Sequence, residues 1–124
     1  MNIYLPPSRD EVTAHDIERF NALYRRIRNR LAPGNLEEES MCNEVIVALW
    51  HHRCFRNRSQ MFERQLRQAI KQAAKPDEIT ALRRQLSWAQ RHAKIQKNFA
   101  WRRRNKYFAV KTIREQQARM PIAA

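Results

Sequence analysis

Residues 41–74 read MCNEVIVALWHHRCFRNRSQMFERQLRQAIKQAA, and along them Met41, Val45, Ala48, His52, Phe55, Ser59, Phe62, Leu66, Ala69 and Ala73 recur in unbroken steps of four and three. That spacing places all ten on one edge of an α-helix, a seam of coiled-coil type that asks for a partner helix. A continuous helix over 35–74 extends about 60 Å at 1.5 Å per residue, with a weak point at 57–59, where Asn57 and Ser59 are poor helix formers. Upstream, Asn35 supplies a capping side chain and Glu37, Glu38 and Glu39 place negative charge at the positive end of the helix.

The flanking segments are helical on the same grounds. Ile17, Phe20, Tyr24, Ile27 and Leu31 form a shorter apolar stripe, with Ser8 and Glu11 spaced as a capping box before it and Pro33-Gly34 as the stop, which predicts a first helix over 8–31. Pro76, Asp77 and Glu78 open a third helix over 76–119, whose inward stripe is Ile79, Leu82, Leu86, Ala89 and Ala93. The expectation is an all-α single domain over residues 1–124. Its two long helices form an antiparallel hairpin, and the shorter first helix packs on it, with Ile17, Phe20, Tyr24 and Ile27 meeting Val45, Phe55, Phe62 and Leu66.

Composition narrows the function. The chain has 124 residues, 25 Lys+Arg against 12 Asp+Glu, a net charge of +13 and a mean hydropathy of −0.82. A single glycine disfavours phosphate-cradling loops and nucleophile elbows, which need close backbone approach or positive φ. The longest apolar run, 45–50, is far short of the about 20 residues that span a bilayer, and the start of the chain lacks a basic, apolar leader, so a cytoplasmic location and no membrane partner are expected. Cys42 and Cys54 then read as reduced thiols. His51 and Cys54 sit one turn apart, but Cys42 is about 18 Å away along a helix, so no metal or other cofactor is expected. The serines fall in no nucleophile motif, and no catalytic residue or enzyme activity is expected.

The charge collects toward the C-terminus. Residues 1–78 carry 13 basic and 11 acidic side chains, whereas residues 79–124 carry 12 basic and one acidic. Within the latter, Lys94, Lys97, Trp101, Arg104, Phe108 and Lys111 follow at steps of three and four, and Arg102, Arg103 and Lys106 widen the basic stretch. Several cations at once suit a phosphate backbone, and exposed rings suit unpaired bases. Arginine outnumbers lysine 19 to 6, and its planar fork favours bidentate contacts to phosphate and guanine. These nine residues are the candidate nucleic-acid site, with RNA favoured over DNA. A smaller basic group, Arg25, Arg26, Arg28 and Arg30, is accounted for by the negative end of the first helix, and Arg53, Arg56 and Arg58 form another.

The expected function is a small non-enzymatic nucleic-acid-binding protein, an accessory subunit of a ribonucleoprotein or protein–DNA assembly. The alternative is a protein-assembly subunit docking on an acidic partner through the seam of the second helix. Ile95, Phe99, Trp101, Tyr107, Phe108, Val110 and Ile113 fall on several sides of the third helix, which points to a protein partner or to self-association.

The run 20–63, with Leu31-Ala32-Pro33, the acids Glu37 and Glu38, Ala48-Leu49-Trp50 and Arg53, resembles a set of small bacterial helical proteins without an established activity. The resemblance implies a bacterial or phage origin and a helical hairpin, and nothing about chemistry.

Overall fold

The computed structural model describes Pro6 and residues 13–120, and among these the chain is all-helical, with helices α1 (Ala14–Leu31), α2 (Leu36–Lys71) and α3 (Pro76–Arg119) and no strand. The expected cap at Ser8 and Glu11 lies outside the described residues. In its place Thr13, in extended conformation, caps α1: its hydroxyl accepts from the Asp16 N–H at 3.1 Å and its own N–H donates to the Asp16 carboxylate at 3.2 Å. The Thr13 hydroxyl also donates to the Asp16 carboxylate at 2.8 Å, and that bond first, then the one from the Thr13 N–H, holds the Asp16 carboxyl below its ordinary value. The first helix therefore begins at Ala14 rather than at residue 8, because the Thr13 backbone is not helical.

The two long helices start and stop close to the expected places. α2 runs from Leu36 to Lys71 with no break at 57–59, and Asn35 caps it, its side-chain oxygen accepting from the Glu38 N–H at 2.9 Å. The seam position Ala73 lies beyond the helix, in a turn with φ 53°. The other left-handed residue among the described residues is also an alanine, Ala32 at the end of α1 with φ 50°. Gly34 does not have positive φ; what it supplies is room, since a Cβ there would stand 2.6 Å from the Arg114 guanidinium.

The chain forms two compact units, residues 1–50 with 99–124 and residues 51–98. In the first, Phe20, Leu23, Tyr24, Ile27 and Leu31 of α1, Cys42, Val45, Ile46, Ala48 and Trp50 of α2, and Ala100 and Tyr107 of α3 are buried. Phe20 meets Trp50 edge-on at 5.3 Å. The partners expected for α1 thus change: Val45 belongs to its unit, whereas Phe55, Phe62 and Leu66 belong to the other. The Trp50 indole N–H is buried without a hydrogen-bond partner among the described residues.

Three residues of α3 at i, i+4 and i+7 hold the end of α1 and the start of α2. A helix leaves its last carbonyls unpaired, and here the Tyr107 hydroxyl donates to the Leu31 carbonyl at 2.7 Å, while Lys111 Nζ donates to the Leu31 and Ala32 carbonyls at 2.7 and 3.1 Å. One turn on, Arg114 donates to both oxygens of Glu38, which is fully buried and also accepts from the Gly34 N–H at 3.1 Å. The Arg114 guanidinium holds Glu38 below the ordinary glutamate range against the opposing effect of burial, and Gly34 assists. Burial pushes the Tyr107 hydroxyl up to about 12, and the Glu38 charge adds to that.

The second unit is built on the seam. His52, Phe55, Ser59, Phe62, Leu66 and Ala69 are half-buried, opposite half-buried Ile79, Leu82 and Leu86 and buried Ala89 and Ala93 of α3. His52 Nδ1 lies 2.8 Å from the Ala93 carbonyl, which can only accept, so Nδ1 carries the proton. Phe55 packs edge-on to Trp88 at 5.4 Å and stacks on His92 at 5.2 Å.

Two outcomes follow from the α1 clamp. Tyr107→Phe removes the buried hydroxyl and costs about 1 kcal/mol, measured as a lower urea midpoint. The Glu38 contribution is complete above its ordinary value of 4.5 and is lost as pH falls through the lower folded value. The Tyr107 contribution is complete below its ordinary 10.0 and is lost as pH rises toward about 12. Urea midpoints should therefore be highest between these limits, and Glu38→Gln should flatten the acid side.

Candidate nucleic-acid interface

The structure divides the nine expected residues into four sets. Trp101, Arg104 and Phe108, at i, i+3 and i+7, share one stripe of α3 in the first unit. The Arg104 guanidinium lies over both rings, 5.3 Å from that of Trp101 and 5.5 Å from that of Phe108, and the rings themselves are 59% and 38% exposed. The result is a cation held between two exposed aromatic planes. Contact with two rings restrains the Arg104 side chain, so less of its freedom remains to be lost on binding a planar or anionic group.

Arg102 and Lys106 form a second stripe, about 100° around the helix from Trp101, and both are exposed. The third set is engaged inside the unit. Arg103 pairs with Glu44 at 3.0 Å and lies 4.8 Å over the Phe99 ring, and Lys111 is bound to the carbonyls at the end of α1. The fourth set, Lys94 and Lys97, is exposed and belongs to the second unit. Periodicity alone puts six of the nine on one face; the packing of the C-terminal half of α3 turns 103, 107, 111 and 114 inward instead.

The other basic groups are likewise split. Arg28 donates to Glu39 at 2.6 Å, and that bond, followed by the one it donates to the Tyr24 hydroxyl, raises its proton affinity. Arg25, Arg26 and Arg30 remain exposed on α1. In the second unit Arg56 and Arg58 are exposed and Arg53 is half-buried. No group of three or more His, Cys, Asp or Glu that could hold a metal ion occurs among the described residues, and Cys42 is a buried thiol whose proton affinity burial raises. No described helix is long and apolar enough to cross a membrane.

The two units also redistribute the charge. The first has 13 basic and nine acidic side chains, and three of its acids, Glu38, Glu39 and Glu44, are paired with Arg114, Arg28 and Arg103. The second has 12 basic and three acidic, a net +9 in 48 residues. Division of the sequence at residue 78 concealed this, because the acids at the start of α2 offset the arginines of its second half. A charge count over 51–98 brings out the residues that reading missed, Arg83, Arg84 and Arg91, all exposed on α3.

The chain matches no protein-family model, no curated protein and no solved structure.

The division of labour among neighbouring arginines is measurable. Arg103→Ala gives up the Glu44 pair and the Phe99 contact and should lower unfolding stability by up to about 1 kcal/mol. Arg102→Ala, with no such engagement, should stay within about 0.5 kcal/mol of the parent in the same urea titration.

Proposed function

We propose that this chain is a small, non-enzymatic, cytoplasmic nucleic-acid-binding protein that serves as an accessory subunit of a ribonucleoprotein or protein–DNA assembly, with RNA the favoured partner. The observation that carries this reading is the uncompensated charge of the second unit, net +9 in 48 residues. Self-repulsion of that size opposes a compact state, and a polyanion relieves it. In the second unit Lys94 and Lys97 meet phosphates. In the first, Arg102 and Lys106 do so while Trp101, Arg104 and Phe108 offer stacking planes.

The same reading takes α2 and α3 as an antiparallel hairpin. Pairs within each unit support it, because rising positions on α2 meet falling positions on α3: Glu38 with Arg114 and Glu44 with Arg103 in the first, His52 with Ala93 and Phe55 with Trp88 in the second. Since the seam is engaged in this way within the chain, docking of a protein partner along it has less to recommend it. The exposed apolar residues Ile95 and Ile113 of α3 remain available to a protein of the larger assembly.

Purification without nuclease, followed by sequencing of extracted nucleic acid, tests the reading directly; a discrete RNA or DNA is the expected result, and a protein free of nucleic acid overturns it. Binding should weaken steeply with salt, with a log–log slope of about −3 for four neutralised phosphates on a single strand. The double variant Arg102→Ala/Lys106→Ala should reduce that slope by about 1.4 and weaken all sequences alike.

A further inference from the structure

The second unit holds an aromatic group that the charge pattern alone does not explain. Trp88 is 43% exposed, although it sits on the helix that supplies this unit's buried alanines. Its ring is fixed from behind by two others: His92 at 4.5 Å and Phe55, edge-on, at 5.4 Å, the latter two stacked at 5.2 Å with 29° between planes. A large ring held in one orientation yet open to solvent has already lost the freedom that binding would cost it. Arg84 and Arg91, both exposed, stand four residues before and three after Trp88 on the same stripe of α3, so a cation flanks the ring on each side along the helix. On α2, Arg58 lies 5.8 Å over the Phe55 ring.

Alternating cation, ring and cation is the arrangement that tracks a single strand, with phosphates on the charges and an unstacked base on the ring. In duplex nucleic acid the bases are stacked on each other and offer no face to such a ring, so the aromatic contribution is specific to unpaired nucleotides. A protein partner would find two arginines beside the tryptophan and a surrounding charge of +9, which favours the polyanion. Resting on the nucleic-acid reading above, we propose that Trp88, flanked by Arg84 and Arg91 and backed by Phe55 and His92, is a stacking site for an unpaired base of single-stranded nucleic acid.

The test is fluorescence anisotropy of the full chain at one salt concentration with labelled oligouridylate, oligothymidylate and a mixed-sequence duplex of equal length. Trp88→Ala should weaken both single strands about tenfold and leave the duplex within about twofold, while Trp88→Phe recovers most of the loss. Arg84→Ala/Arg91→Ala should weaken single strands and duplex together. Unchanged single-strand affinity in Trp88→Ala, or an equal loss on the duplex, overturns the site and leaves the nucleic-acid reading standing; failure of the parent protein to bind any probe overturns both. If helix content falls in Trp88→Ala, tryptophan emission of Trp101→Phe decides: quenching by oligouridylate or oligothymidylate supports the site, and unaltered emission at saturating probe overturns it. The two single strands distinguish RNA from DNA as its source.

Discussion

The closing of the α1 C-terminus by α3 is the constraint on which the first unit depends. Four carbonyls at the end of any helix lack internal partners, and two of those at the end of α1 are met by Tyr107 and Lys111. Arg114, one turn further along, anchors the buried Glu38 carboxylate at the start of α2. Three side chains on one stripe of α3 therefore tie the α1–α2 connection at both its ends. The connection itself is short and carries the chain's one glycine, where the guanidinium leaves no space for a Cβ. Breaking a buried ion pair of this kind leaves an uncompensated charge in the interior, which makes the turn the most demanding part of the unit.

That constraint also decides which charges remain available outside. Glu38, Glu39 and Glu44 are consumed by Arg114, Arg28 and Arg103 in holding α2 to its neighbours. Three of the nine acids of the first unit thus serve its packing, while the second unit has three acids against twelve cations. A two-helix unit of half-buried seam residues carries most of the excess, and an aromatic group of Phe55, Trp88 and His92 stands among them. Local charge and exposed rings on the same unit are what a nucleic-acid partner uses, through counterion release and stacking respectively.

Helix capping shows a related economy. With one glycine in the chain, both left-handed positions among the described residues, Ala32 and Ala73, are occupied by alanine. An L-residue there costs about 1–2 kcal/mol in backbone energy. At Ala32 the cost is offset by the hydrogen bond from its N–H to the Arg28 carbonyl at 2.8 Å and by Lys111 on its own carbonyl. At Ala73 the N–H bonds to the Ile70 carbonyl at 3.2 Å and Ala74 to that of Ala69 at 2.9 Å, which completes the turn before Pro76 starts α3.

The sequence alone determined the helices, because periodicity of three and four and the capping chemistry of Asn35 and Pro76 are local properties. It placed the seam of α2 from His52 to Ala69 and the inward stripe of α3 in the second unit, though not Ala73, which lies in the turn after α2, and it identified the basic, aromatic character of the C-terminal half. It could not tell which basic residues are spent on packing. Lys111 and Arg103 have the same spacing to their neighbours as Lys97 and Arg102, and what separates them is the carbonyl or carboxylate that another helix brings within reach. The start of α1 and the role of Gly34 were hidden for a similar reason: a capping-box pattern occurs at two places near the first helix, and the crowding at Gly34 comes from a residue 80 positions away in the chain. The placement of Trp88 beside Phe55 and His92 was decided only by the pairing of α2 with α3, since no local rule brings position 55 to position 88. Local chemistry sets the elements, and non-local pairing of charges and rings sets what they can bind.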